Sequence, residues 1–461
     1  MKNINFKPDK NSDTPLYIQL YSYFKENITS GEIANDERLP SRRALEKEAK
    51  LSKSTIELAY QKLMDDGYAV SRSRSGHFAR QSSLINSDIS ETDFYSNPGI
   101  SYIMSQNGID SDSVPRDAIS KLYRDISYDS PDLFEFGHKY GEKSLRKAIA
   151  HSLHEMHGIS CNPGQIIVGA GTEFLIEQLT HIFEDGTVFG FENPCFARNY
   201  IPVKNSGREI QLIDINMDGI PSGALEASGI DVMCLSPDHQ FPTGCRMTAE
   251  KRAEALSWAE KSPDRYIIEA DFDLDFSNEP LPPLFASDKS GSVILLGTFF
   301  RTVAPSIRTG FLVLPQTLVE RFNQKLPYYI CLNSALEQQV IAKYINSGKY
   351  RKHTEDLKKI YNSKRRFLID ELEKSRLKPY ISLYGTETGT YVIARTENGM
   401  TENELRNSAA EHGVKIIPLS ACMFRYNEML PKNLFIMGFG GLTADEIRSA
   451  VKALERAWAK E

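Results

Sequence analysis

Apolar residues near the start of the chain are spaced as in helices. Between positions 14 and 30 they recur every three or four residues, which predicts one helix. Two shorter helical patterns follow at positions 41–50 and 55–66, separated by a short turn. Ser52 or Ser54 can cap the last of these helices. Two short helices joined by a tight turn are typical of a helix-turn-helix.

Two short apolar runs follow these helices and flank a basic segment. They are Tyr68–Ser71 and His77–Ala79, and the segment between them is Arg72-Ser73-Arg74-Ser75-Gly76. This pattern predicts two strands joined by a basic, glycine-bearing tip, which is the wing of a winged helix. Residues 1–80, called the head below, are therefore predicted to form a small winged helix-turn-helix domain, largely helical apart from the wing.

The rest of the chain follows a different pattern. Residues 81–98 lack sustained periodicity and are rich in Ser, Asn and Asp, which predicts a linker. In residues 99–461, called the body below, strand-like apolar runs such as Val232–Leu235 alternate with amphipathic helical patterns. This alternation favours an α/β fold with a mostly parallel sheet and helices on both faces. A smaller C-terminal α/β unit is predicted to begin within positions 317–374 and to end with a helix at 444–458.

Composition narrows the class of protein. The 461 residues are 41% hydrophobic and 25% charged, as in soluble globular proteins. No apolar run approaches the ~18 residues of a membrane span, and the first residues lack a signal-peptide pattern. The six Cys show no metal-ligand spacing and are typical of reduced thiols, so we expect a cytoplasmic protein without a metal centre.

The net charge of −6 is unevenly distributed along the sequence. The head has 14 Lys and Arg against 11 Asp and Glu, a net charge of +3, and the remainder has 41 against 50, a net charge of −9. A basic head on an acidic body suits a nucleic-acid-binding module attached to a larger domain.

The head resembles a GntR-type winged helix from position 14 to position 80. The matching motifs are Leu39-Pro40-Ser41-x-Arg43, Ser52-Lys53-x-Thr55, Ala59-Tyr60-x-x-Leu63, Gly67-Tyr68 and Gly76-x-Phe78. The resemblance implies that the third helix enters the major groove of double-stranded operator DNA. The residues expected to contact DNA are Arg42, Arg43, Ser52, Lys53, Ser54, Thr55, Arg72, Arg74 and Gly76. The alternative is that these are ordinary solvated side chains of a small helical domain.

The body resembles the fold-type I aminotransferase-like domain of MocR-type regulators. The matching motifs are Tyr140-Gly141-x-x-x-Leu145-Arg146, Gly169-Ala170-Gly171-Thr172-Glu173, Glu192-Asn193-Pro194-x-Phe196 and Ser236-Pro237-Asp238-His239-Gln240-Phe241-Pro242-Thr243-Gly244. The resemblance implies a head-to-tail homodimer and a pocket built for pyridoxal phosphate. In that pocket the second motif holds the phosphate at a helix N-terminus and Phe196 stacks on the ring.

Three positions of the pocket depart from the family pattern. The loop Gly297–Gly310 matches the family's cofactor-lysine loop, in which Arg308 takes the place of the phosphate-binding Arg and Arg301 that of the lysine. A guanidinium stays protonated and is a poor nucleophile, so we expect no aldimine, no bound cofactor of that kind and no catalytic residue. Ala270 and Phe272 replace the family's Asp at the ring nitrogen and Tyr at the ring hydroxyl. A slip of one residue would instead make Asp271 the ring partner.

The pocket that remains is basic. Its predicted residues are Ala170, Gly171, Thr172, Phe196, Ala270, Phe272, Arg301 and Arg308. Two arginines in one cleft favour a small anionic effector. Alternatively, Arg301 pairs with Asp271 or Asp273 and plugs the cavity.

The sequence thus predicts a DNA-binding transcription regulator with a catalytically inactive body and no membrane association. Two other functions stay open, namely a regulator that binds pyridoxal phosphate without a covalent bond and an active aminotransferase. The absence of lysine from Thr298–Gly310 disfavours the enzyme.

Overall fold

The computed structural model describes residues 6, 8–9, 12, 14–29, 33, 37–65, 68–72, 76–79, 99–129, 133, 135, 137–277 and 281–459. The chain divides into two compact units, residues 1–98 and 99–461. The predicted linker, Arg74 and the C-terminal boundary of the head lie outside the described residues. Among the helices that the structure describes, none has the length and apolar character needed to cross a membrane.

The head contains the predicted helices and the predicted wing. They are α1 (Leu16–Thr29), α2 (Arg42–Glu48), α3 (Lys53–Asp65), β1 (Ala69–Arg72) and β2 (Gly76–Ala79). β1 and β2 pair antiparallel, and Leu20, Phe24, Leu45, Ile56 and Leu63 are buried between the helices.

The ends of α2 and α3 show how the sequence sets the helix-turn-helix. Ser41 caps α2 by accepting a hydrogen bond from the Ala44 amide at 3.2 Å. The predicted end at Lys50 was two residues too late, because Lys50 has a φ of +51°, which no α-helix contains. Ser52 Oγ, one of two proposed caps for α3, accepts from the Thr55 amide at 3.2 Å.

The body is built from a large and a small α/β unit. Its strands are β3 (Tyr102–Ile103), β4 (Ile166–Gly169), β5 (Val188–Asn193), β6 (Glu209–Asp214), β7 (Val232–Leu235), β8 (Tyr266–Glu269), β9 (Val293–Thr298), β10 (Gly310–Val313), β11 (Ile381–Tyr384), β12 (Tyr391–Thr396), β13 (Val414–Lys415), β14 (Ile417–Pro418) and β15 (Leu434–Gly438). Its helices are α4 (Arg116–Asp129), α5 (Lys143–His157), α6 (Thr172–Ile182), α7 (Ala197–Asn205), α8 (Ala249–Glu260), α9 (Leu284–Ser287), α10 (Gln316–Lys325), α11 (Ala335–Asn346), α12 (Lys349–Lys374), α13 (Glu402–Glu411) and α14 (Ala444–Trp458).

In the described part of the body, seven strands form one sheet in the order β4-β10-β9-β8-β7-β5-β6. The neighbours from β6 to β9 are parallel, and β10 is antiparallel to both β9 and β4. Ile167 packs in one hydrophobic cluster, and Ile166 and Val168 pack in another, so both faces of the sheet are covered. The prediction of a mostly parallel sheet with helices on both faces is confirmed. The loops after β4, β5, β8 and β9 consequently meet at one edge.

The smaller C-terminal unit is also confirmed. Its sheet has the order β11-β12-β15-β14, with antiparallel neighbours, and the last helix spans Ala444–Trp458 as predicted. Thr443 and Glu446 form a capping box at the start of this helix, which explains why its first residue could be predicted.

Candidate functional site

The predicted DNA-contacting residues of the head lie around the turn between α2 and α3 and on the wing. Arg43, Ser52, Lys53 and Ser54 are exposed, and Thr55 is half-buried. The hydroxyls of Ser52, Ser54 and Thr55 also hydrogen-bond one another, with Ser52 Oγ 3.0 Å from Ser54 Oγ and 2.8 Å from Thr55 Oγ1. The exposed side chains are accessible for contact with a base edge or a phosphate.

Other candidates in the head already have partners within the protein. Arg42 forms an ion pair with Glu57, with side chains 49% and 46% exposed. The Arg72 guanidinium lies 4.4 Å from the centre of the Phe78 ring. Gly76, at φ +101°, occupies a backbone region that L side chains rarely adopt. The exposed Arg38 lies beside the wing, with its guanidinium 3.5 Å from where a Cβ at Gly76 would be placed.

The predicted pocket of the body is an open cleft of about 470 Å³ at the edge of the large sheet. Six of its eight predicted residues line it, namely Gly171, Thr172, Phe196, Phe272, Arg301 and Arg308. They come from the loops at the ends of β4, β5, β8 and β9, which the strand order brings together. Ala170 and Ala270 are not among the lining residues. Ala270 is buried, and its carbonyl accepts a hydrogen bond from Ser236 Oγ at 2.9 Å. We call this cavity the Arg301 cleft.

Arg301 is held in place by a buried carboxylate behind it. Its Nη1 lies 2.5 Å from Asp273 Oδ1 and 2.7 Å from Thr390 Oγ1. The other oxygen of Asp273 lies 2.9 Å from His239 Nδ1. Burial alone would raise the pKa of Asp273, but the charge of Arg301 and the bond to His239 outweigh it and lower this pKa. Asp273 is therefore ionised, and Arg301 is the cation that neutralises it.

A carboxylate of the protein also occupies the place where a phosphate is expected. Glu173, near the N-terminus of α6, accepts hydrogen bonds from Arg308 at 3.0 Å and from Arg198 at 3.0 Å. Burial opposes ionisation of Glu173, but its own backbone amide and the two arginines outweigh burial and lower its pKa. Glu173 thus bridges two cations at a helix N-terminus, where an anion is favoured.

Asp271, the alternative ring partner, is not among the residues that line the Arg301 cleft. Its carboxylate accepts hydrogen bonds from the backbone amides of Asp238 and, at 3.3 Å, Asp273. Burial and the charge of Asp238 raise the pKa of Asp271 to about 7.

Sequence analysis missed several residues of the cleft, namely Asn107, Glu173 as a carboxylate ligand, Arg198, Thr298, Phe300 and Ile307. Arg198 follows Phe196 by two positions, and Thr298, Phe300 and Ile307 lie in the loop already singled out, so proximity in sequence could have indicated them. Asn107 lies far from every motif, and only the fold brings it to the cleft.

The described residues thus define a winged-helix module joined to a domain with an aminotransferase fold. Two family models match the chain, the gntR family of bacterial regulatory proteins at residues 16–78 and aminotransferase class I and II at residues 273–454. Among solved structures, an archaeal alanine:glyoxylate aminotransferase is similar in fold, with a TM-score of 0.71 at 22% identity, covering 80% of this chain and 93% of that chain.

Relatives of the whole chain combine the same two parts. The HTH-type transcriptional regulator YhdI of Bacillus subtilis is 32% identical over 98% of this chain and 97% of its own length. The probable rhizopine catabolism regulatory protein MocR of Rhizobium meliloti is 26% identical over 98% of this chain and 95% of its own. This chain belongs to the MocR-type branch of the GntR family. It is a transcriptional regulator with an aminotransferase-like domain.

Proposed function

We propose that this regulator binds operator DNA through the head and that its body neither forms an aldimine with pyridoxal phosphate nor catalyses transamination. The observation that carries the second part is the buried ion pair between Arg301 and Asp273. An arginine at the family's lysine position cannot attack the cofactor aldehyde, because a guanidinium remains protonated. The ion pair with Asp273 also holds the Arg301 side chain in place.

The other residues of the Arg301 cleft also fit this cofactor poorly. Phe272 lines the cleft and has no hydroxyl for the ring oxygen. Asp271, which follows Ala270, accepts hydrogen bonds from two backbone amides and does not line the cleft. The carboxylate of Glu173 already forms an ion pair with Arg308, the residue to which the cofactor phosphate would bind. Phe272 and Asp271 therefore do not supply the hydroxyl and the ring-nitrogen carboxylate of the family's cofactor site, and a cofactor phosphate on Arg308 would first have to displace Glu173.

Reduction with borohydride tests this proposal. Incubation of the full chain with pyridoxal phosphate and then borohydride should leave the mass of the protein unchanged. Arg301→Lys is the matched variant, since it places an amine at the same position, and an adduct on it would show that the assay detects one. A stable adduct on a lysine of the body in the unaltered chain would overturn the proposal. A visible absorbance band without an adduct would instead favour a cofactor held non-covalently.

We further propose that the Arg301 cleft takes a small phosphorylated or carboxylated molecule as an effector. The cleft stays open although Arg301 is paired, and three arginines (198, 301 and 308) face two carboxylates, Glu173 and Asp273, leaving a net charge of +1. Arg308 is 44% exposed at its side chain and shares Glu173 with Arg198, so an incoming anion can displace that carboxylate. Arg308 is then the main anchor and Arg301 contributes its charge.

A pair of variants tests the effector proposal by thermal shift against anionic metabolites. Arg308→Ala should remove the stabilisation by a ligand. Glu173→Gln should strengthen it, because the competing carboxylate is gone while the size of the side chain is kept. If no anion stabilises the protein, or if Arg308→Ala has no effect, the body has no effector site in this cleft.

The body is also proposed to form the homodimer that the family resemblance implies. Three large apolar side chains close together in sequence support an interface, since Tyr328, Ile330 and Leu332 are 93%, 62% and 64% exposed in the single chain. Such a cluster is costly to leave in water and is typical of an association surface.

A further inference from the structure

A second cleft of the body is larger than the Arg301 cleft and belongs to neither proposed site. It has a volume of about 1480 Å³ and is lined by the loop after β7, the middle of α12 and the loop between β11 and β12. One wall is closed where the two loops touch, because a Cβ at Gly244 would lie 2.9 Å from the Cα of Gly385. Both glycines have positive φ angles, +68° and +63°, so the wall depends on glycine at both positions.

Arg365 on α12 lines this cavity, which we call the Arg365 cleft. The residue is only 3% exposed. It donates to the Gly389 carbonyl at 3.3 Å and to the Asn362 side chain, and among the described residues no carboxylate lies within ion-pair distance of it. Burial, together with the charge of Arg366, lowers the pKa of Arg365 to about 10, so the group is still protonated at neutral pH. A buried cation without a counter-charge is costly, and such groups usually have an anion nearby.

Two neighbours of Arg365 also favour an anion in this cleft. Arg366 also lines the Arg365 cleft, is exposed, and has no ion-pair partner in the part of the chain that the structure describes. Thr388 is 4% exposed, and its buried hydroxyl finds no hydrogen-bond partner among those residues. A hydroxyl and two guanidinium groups are the donors that bind a phosphate or carboxylate group.

Acidic residues at the cleft do not supply that anion. Glu387 and Asp218 line it, but both are exposed, and neither lies within 4.0 Å of Arg365 or Arg366. The charge of Glu387 acts on Arg365 from a distance, in the direction that keeps it protonated. The buried donors therefore remain available to a ligand.

We infer that the Arg365 cleft is a binding site for a small anion carrying a phosphate or carboxylate group, anchored by Arg365, Arg366 and Thr388. The inference is independent of what the Arg301 cleft binds. The two clefts nevertheless share a backbone segment, since Arg365 holds the carbonyl of Gly389 and Arg301 holds the hydroxyl of Thr390, the next residue. An anion bound to Arg365 would therefore lie close to Gly389, the residue next to Thr390, whose hydroxyl is hydrogen-bonded to Arg301.

Calorimetric titration of the full chain with inorganic phosphate and with malonate, against sodium chloride at equal ionic strength, tests this inference. At least one of the two anions should bind, and the tighter one identifies the preferred group. Arg366→Ala should weaken binding about tenfold, as expected for loss of a charged hydrogen-bonding group, and Thr388→Val should weaken it several-fold. Both changes spare the buried guanidinium, so the fold should survive.

Three comparisons make the result decisive. Arg351→Ala, which removes an exposed arginine of α12 that pairs with Glu355 outside the cleft, should leave the affinity unchanged. Glu387→Gln should strengthen binding, because it removes a negative charge at the rim. The inference is overturned if neither anion binds more than chloride does, or if Arg308→Ala abolishes binding while Arg366→Ala does not, since the anion would then occupy the Arg301 cleft.

Discussion

Arg301 and Asp273 form an ion pair at 2.5 Å in which the side chains are 11% and 6% exposed. The two residues follow adjacent parallel strands, β9 and β8, so the fold itself brings them to the same edge of the sheet. Thr390 and His239 complete the set of hydrogen bonds around them. A pair of this kind stabilises the protein only while both members are present, because each one alone is a buried charge.

Removal of Arg301 should therefore destabilise the body strongly. For Arg301→Ala we expect a loss of about 3–5 kcal/mol in the free energy of unfolding, since Asp273 is left charged and buried. Urea denaturation measures it. Arg308→Ala is the control, because Arg308 is 44% exposed and its pair with Glu173 should contribute less than about 1 kcal/mol. Equal effects of the two variants would show that Arg301 is not buried as described.

Glu192 gives a prediction about pH. Burial raises the pKa of this carboxyl from 4.5 to about 8, against the hydrogen bonds of Gln240 and Ser236 that favour its charge. Between pH 4.5 and about 8 the unfolded chain has lost this proton and the folded chain keeps it, so stability falls as the pH rises. The contribution is at most about 1.4 kcal/mol per pH unit.

Glu192→Gln removes that proton equilibrium with little change of shape. Urea unfolding at pH 5 and at pH 8 should show a smaller loss of stability for the variant than for the unaltered protein. An identical loss in both would mean that Glu192 is ionised in the folded state.

Structural features that depend on residues close together in sequence could be predicted, whereas contacts between distant segments could not. Ser41, Thr443 and Glu446 cap helices through neighbours in sequence, and those helix starts were predictable. Arg301 could be recognised as a departure in a known loop. Its partner could be narrowed only to Asp271 or Asp273, because both follow the same strand and the choice depends on side-chain packing.

Contacts between distant segments were not predictable. Glu173 and Arg308 are 135 positions apart, and nothing local in the sequence indicates that a carboxylate would occupy the predicted phosphate site. Arg365 is one of several charged residues on a 26-residue helix, and its burial follows from packing against the segment around Gly389.

Operator binding should depend on exposed residues of the helix-turn-helix. Arg43→Ala should weaken binding by about 1–3 kcal/mol if the side chain contacts a base or grips a phosphate with two hydrogen bonds. Lys62→Ala is the control in the same module, since its ammonium lies 4.9 Å from the centre of the Tyr21 ring and contacts the protein itself. Gel shift at fixed salt measures both. A chain that begins near residue 99 and still shifts the operator would contradict the assignment of DNA binding to the head.

The exposed apolar residues between α10 and α11 yield the last prediction. If Ile330 and Leu332 are buried in a homodimer, Ile330→Asp removes apolar contact and places a charge where water is excluded. The dimer dissociation constant should rise at least about thirtyfold, which sedimentation equilibrium can measure. Met429→Glu is the matched control, because Met429 is apolar and 46% exposed but lies in another segment. Should Met429→Glu dissociate the protein while Ile330→Asp leaves it dimeric, the interface is formed by a different surface. A single-chain mass for the unaltered protein would exclude the homodimer altogether.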